Sequence, residues 1–331
     1  MEHNNKSAVL AVIFSSLSFG CLGICVRYFL NDCSLDPISV VFIRLTFSAA
    51  GLFIVLLIVG RDMLKIRLKD IPFMVFFGIF KILADGMFFF AQDNMSLCLA
   101  TLLQMTSPYF VMFFSLILFK EKITMAKMLA VGVGTIGCVL VTDVLFGELN
   151  VNVIGLTAAV LSGLCFSMFF IGNKMANDKG FRPATILFYT TLFADLMAIP
   201  FTDLPGTAQA LSTVNGWAAA FALGILMTLI PYFLLTWSSS RMDPTVISII
   251  SVLEVVGAAI VGYFMFNETL DVPHFIGIGL VVASIVLINV QLRKIYFKKY
   301  GKFIDPVIKL GTWPLHKLMD DQMKVFEDKK N

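Results

Sequence analysis

The chain is predicted to be an all-α membrane protein whose ten transmembrane helices form two inverted five-helix repeats. Three observations carry this expectation. Hydrophobic side chains make up 58% of the 331 residues and charged ones only 14%, where a soluble chain carries about 25% charged residues. Long uncharged runs recur, each near the roughly 20 apolar residues that cross a bilayer as a helix. The chain also repeats itself. Phe119-Lys120-Glu121 closes one apolar span, and Phe266-Asn267-Glu268 closes another 147 residues later. At that offset Met95 falls on Met242, Gly132 on Gly279, Val139 on Val286 and Leu140 on Leu287.

Ten spans are read at 8–30, 38–60, 71–92, 96–119, 125–144, 153–175, 184–201, 216–237, 245–266 and 272–290. The first is too long for a signal peptide and lacks a clear small-residue cleavage site. Basic residues set the orientation. Arg61, Lys65, Arg67 and Lys69 lie between spans 2 and 3, Lys120, Lys122 and Lys127 around the 4–5 turn, and Lys174, Lys179 and Arg182 between spans 6 and 7. The opposite loops hold Asp32, Asp36, Asp143, Glu148, Asp203 and Asp271. By the positive-inside rule both termini are cytoplasmic, which predicts a multi-pass protein of the cytoplasmic membrane. Five helices per copy is an odd number, so the second copy enters the membrane upside down, the plan of many secondary transporters. The copies are bounded at 1–147 and 148–290. Residues 291–331 form a basic tail, in which Arg293, Lys294, Lys298 and Lys299 alternate with apolar residues as in a segment lying on an anionic leaflet.

The net charge of +3 sits mostly in short loops and the tail and implies no nucleic-acid partner. Six cysteines form no Cys-x-x-Cys pair and no cluster with histidine, so neither a metal site, a disulfide framework nor a cofactor is expected. The lipid bilayer and a small-molecule substrate are the expected partners, and a homodimer is compatible with the sequence.

Charges inside the spans are few: Arg44, Lys81, Asp85, Asp195 and Glu254. Each costs about 2.5–3.5 kcal/mol at mid-membrane on insertion scales, so each is expected to face a partner or a wet cavity. Arg44 is six residues from one end of span 2 and Asp85 seven from the same side of span 3, so the two share a depth. Lys81, one turn from Asp85 on the same face, is a second candidate partner. Glu254 and Asp195 lie nearer the middle of their spans, and Glu254 has no sequence-local cation. With Gln104, Tyr109, Tyr189, Tyr232 and Trp237, these charges suit a small zwitterion or organic cation. A buried carboxylate also suits proton coupling, and the sequence leaves both roles open. His316 and Asp321 in the tail have the H-x-x-x-x-D spacing of an acyltransferase-like pair. A membrane-embedded enzyme is therefore one alternative to a transporter and a passive pore is another; the expectation is a non-enzyme. His3 and His274 have no evident partners.

At this level of detail the chain resembles the EamA-type ten-helix transporters of the drug/metabolite transporter superfamily. The motifs are Phe19-Gly20 in helix 1, Pro37 followed by Arg44, Thr106-Ser107-Pro108 in helix 4, and the Glu-closed ends at Phe119-Lys120-Glu121 and Phe266-Asn267-Glu268. Leu253-Glu254-Val255 stands where the family usually has Leu-Glu-Pro, so helix 9 is expected to be straighter than helix 4. The resemblance covers residues 8–290. It implies secondary transport of a small organic metabolite by alternating access, as an exporter or exchanger, with the cavity lined by helices 1, 3, 4, 6, 8 and 9. Under this reading Glu121, Glu268 and Pro108 are gating or structural residues.

Overall fold

The computed structural model describes residues 2–95, 97–142, 153–266 and 271–288. Glu268 and everything from 289 onward, including His316 and Asp321, lie outside the described residues. Among the described residues the regular structure is helical throughout. Eight helices are long and apolar enough to cross a membrane: α1 (Ser7–Asp32), α2 (Pro37–Val59), α3 (Leu68–Gln92), α4 (Ala100–Phe119), α6 (Val153–Asp178), α7 (Pro183–Phe201), α8 (Val214–Ser238) and α9 (Pro244–Met265). The shorter apolar helices α5 (Met125–Val141) and α10 (Val272–Ile288) complete the expected ten.

Local chemistry sets the helix ends. At the start of α2, the Asp36 carboxylate accepts the Ser39 N–H at 3.0 Å, and Pro37 occupies the first turn. Pro183 and Pro244 likewise occupy the first turns of α7 and α9, there without a side-chain cap. Helix α4 stops where Lys120 turns into the left-handed region at φ 51° and the Glu121 N–H bonds back to the Ser115 carbonyl.

Four helices are interrupted. Helix α1 breaks at Cys21 and ends in a wider turn over Tyr28–Asp32. Helix α8 widens in the same manner over Ala222–Leu229, just before Pro231, whose ring nitrogen has no proton to donate. There the Thr228 hydroxyl donates to the Leu223 carbonyl at 2.6 Å, five residues back. Helix α4 breaks at Met105-Thr106 ahead of Pro108, and α9 breaks at Val252. These last two breaks occupy the same place in the repeat, 147 residues apart. The expected straightening of α9 takes a limited form: without the proline it is interrupted for one residue instead of two.

The inversion is visible at one ion cluster. Lys127, at the start of α5, pairs with Glu121 and lies 3.6 Å from Asp243, the residue that precedes α9. Helix α4 therefore arrives at the membrane face from which its counterpart α9 departs. Packing crosses the repeats as well: α1 lies on α8 and α9, α2 on α7 and α8, and α3 on α6 and α7. The tightest seams use glycine. A Cβ on Gly20 would lie 2.5 Å from the Ala258 nitrogen, and one on Gly137 would lie 2.8 Å from the Gly277 carbonyl.

Gly20→Ala should cost about 1–3 kcal/mol by overpacking the α1–α9 seam. The measurement is thermal unfolding of detergent-solubilised protein. Gly132→Ala, where an added Cβ meets nothing within 4 Å, serves as the unaffected control.

Candidate functional site

Arg44, Asp85, Gln104, Tyr232 and Glu254 meet around one cavity of about 660 Å³. Its deep end lies among these residues. From there it runs to Arg27, Asn31, Gln92, Thr142 and His274, at or beside the ends of α1, α3, α5 and α10 on one face of the helix bundle. The opposite face is sealed by contacts between helices. The Ser15 hydroxyl donates to the Pro231 carbonyl at 2.9 Å and Asn177 to the Thr236 carbonyl at 3.3 Å, and the Ser238 hydroxyl, 2.8 Å from the Leu234 carbonyl of its own helix, lies 3.2 Å from the Ala8 carbonyl. The Lys127–Glu121–Asp243 cluster stands on this sealed side.

The breaks in the helices deliver the polar groups. Glu254 follows the interruption at Val252, and Gln104 precedes the one at Met105. Tyr232 follows the widened turn and Pro231. Irregular backbone at such a depth is tolerated where it lines a cavity or is buried in protein. Arg44 and Asp85 form a buried ion pair, with side chains 4% and 9% exposed. The Arg44 guanidinium also sits 5.5 Å from the centre of the Phe89 ring. Glu254 forms no ion pair among the described residues, because Arg44 is engaged by Asp85. Phe19, Phe88, Phe89 and Phe166 complete an aromatic lining.

Five other expected residues stand elsewhere. Lys81 is 2% exposed and lies behind the wall, its ammonium 3.3 Å from the centre of the Tyr232 ring and 5.3 Å from that of Phe169. It forms no ion pair with Asp85, and its nitrogen has no hydrogen-bond acceptor among the described residues. Asp195 joins α7 to α2 by accepting the Thr46 hydroxyl at 2.9 Å. Tyr109 is 42% exposed on the flank of α4 and shares a hydrogen bond of 2.8 Å with Thr135. The Tyr189 hydroxyl donates to the Leu64 carbonyl at 2.5 Å, and Trp237 is covered by the Arg241 guanidinium at 3.8 Å. Of the gating candidates, Glu121 is in the ion cluster, and Pro108 is buried against α5 and α9.

Sequence reasoning missed the mouth of the cavity. His274, without an evident partner in the sequence, accepts the Asp271 N–H at Nδ1 (3.1 Å) and lines the cavity. Its signal was the repeat register, which sets it on Lys127 of the first copy. Helix α2 through Arg44, α5 through Val141 and α10 through His274 contribute to the lining alongside the six helices the resemblance implied.

A helical bundle with an inverted repeat, broken helices and a cavity that holds a few charged groups among apolar and aromatic side chains has the form of a membrane transporter. The EamA-like transporter family matches residues 6–143 and 153–290, and the chain belongs to it. This places it in the drug/metabolite transporter superfamily. Among its relatives are an uncharacterized transporter of Archaeoglobus fulgidus, 26% identical over 84% of this chain and 94% of the relative, and the pseudopaline exporter CntI of Pseudomonas aeruginosa, 24% identical over 86% and 96%. The S-adenosylmethionine uptake transporter of Rickettsia felis is 26% identical over 80% of this chain and 87% of the relative. A solved crystal structure, 17% identical, shares the fold with a TM-score of 0.72 over 88% of this chain and 99% of that one.

Arg44→Leu and Asp85→Leu should each destabilise the protein by about 3–5 kcal/mol, since each strands a buried charge, while the double substitution recovers most of the loss. Thermal unfolding of the three variants beside the parent measures this coupling.

Proposed function

We propose that the protein is a secondary active transporter that carries a small organic metabolite, an amine, amino acid or similar cation or zwitterion, across the cytoplasmic membrane by alternating access. One observation carries the reading: Glu254 faces a cavity of about 660 Å³, among aromatic side chains, with no ion-pair partner among the described residues. A carboxylate in that setting attracts an organic cation, and the rings around it add cation–π attraction. The volume suits a small metabolite.

The halves take the boundaries 1–147 and 148–290, with 291–331 as a cytoplasmic tail and both termini inside, in keeping with the basic loops. The cavity then reaches the outer face. The Lys127–Glu121–Asp243 cluster holds the inner face shut, and its opening releases or admits cargo on the cytoplasmic side. A proton on Glu254 removes the charge that holds a cation, so proton and substrate exclude one another there, which couples their movements as an exporter or exchanger requires. The names of relatives, an exporter and an uptake transporter, are compatible with either direction.

Glu254→Gln should lower counterflow of the amine or amino acid that most raises the unfolding temperature of the parent by at least about tenfold in proteoliposomes, with the unfolding temperature of the unliganded variant unchanged. Undiminished counterflow would remove Glu254 from the transport site.

A further inference from the structure

The Gln104 amide is fixed in one orientation by a chain of hydrogen bonds that ends on backbone. The Ser162 hydroxyl donates its single proton to the Ala84 carbonyl at 3.0 Å. Its oxygen must then receive a donor from Gln104, and the Gln104 Nε2 lies 2.8 Å away. A flipped amide would set two acceptors against each other. Ser162 is fully buried behind the wall and belongs to α6, whereas Gln104 lines the cavity. The amide nitrogen thus points back into protein. Its carbonyl oxygen, Oε1, receives no hydrogen bond from the described residues and is the group left for the cavity.

The deep end of the cavity therefore presents the carboxylates of Asp85 and Glu254 and the Gln104 carbonyl as acceptors, while the amides of Asn31 and Gln92 lie toward its mouth. Asp85 is taken by Arg44. Glu254 supplies charge, which any cation satisfies. Gln104 Oε1 asks for a proton donor, which a quaternary ammonium lacks. We infer that Gln104 is a specificity-determining residue that selects protonated amines bearing N–H groups over quaternary ammonium ions, with Ser162 as its positioning residue. This rests on the cation reading proposed above and narrows its substrate class. The discrimination arises because a bulky N-methyl group would leave the carbonyl desolvated and unpaired, a loss that small hydrophobic contacts do not recover.

The test is a thermal-shift titration of the purified full-length chain with three probes of one shape: benzylamine, benzyltrimethylammonium and benzoate. The parent should bind benzylamine about tenfold or more tightly than benzyltrimethylammonium. Gln104→Leu should reduce that ratio to about threefold or less, and Ser162→Ala, which frees the amide to turn, should reduce it while leaving benzyltrimethylammonium binding unchanged. Either variant alone carries the test if the other fails to fold. Equal binding of the two cations by the parent, or an unchanged ratio in a folded Gln104→Leu or Ser162→Ala, overturns the inference about Gln104 while the cation reading stands. Binding of benzoate in place of both cations, or of none of the probes, overturns the cation reading and this inference with it.

Discussion

Hydrocarbon leaves a polar group nowhere to go except toward another polar group or toward water, and this constraint organises the whole molecule. Arg44, Asp85, Gln104 and Glu254 come from four helices of a chain with few charges in its spans, and they converge. The broken helices follow from the same rule. The interruptions at Met105 and Val252 expose backbone only where protein or cavity receives it, and the hydroxyl of Thr228 answers a carbonyl beside the widened turn of α8. Lipid-facing positions such as Ile58, Val59 and Phe264 carry none of these groups.

The two faces of the bundle are unlike although the halves are related. On the sealed side Lys127 meets Glu121 within its own repeat and Asp243 from the other, so one ammonium ties the first half to the second. At the mouth the corresponding position is His274, whose ring nitrogen is turned to its own helix start. The Lys127 clasp closes one face, and the cavity opens toward the other.

The fold was legible because hydropathy and repeat register are long-range signals that average over many residues. The pairing of Arg44 with Asp85 was legible for a similar reason: two opposite charges at one depth in oil have few other partners. What depth could not supply was azimuth. In helices apolar on every side, no periodic stripe tells which face a residue occupies, so Tyr109, Tyr189 and Trp237 were grouped with the cavity by type and depth alone, and each proves to have a partner away from it. Lys81 shows the same limit. Its spacing from Asp85 suggested a pair, but the aromatic side chains of Phe169 on α6 and Tyr232 on α8 claim its ammonium first. The break in α9 was hidden because the visible signal, proline, is missing, while the place in the repeat that demands a break persists.

The seam between Gly20 and Gly257 joins the opening helix of the first copy to the fourth helix of the second, backbone against backbone. The copies can thus no longer diverge freely. Any gain in bulk on one bank of that seam has to be met by retreat on the other, so the descendants of a duplicated segment are bound to change in step where they touch.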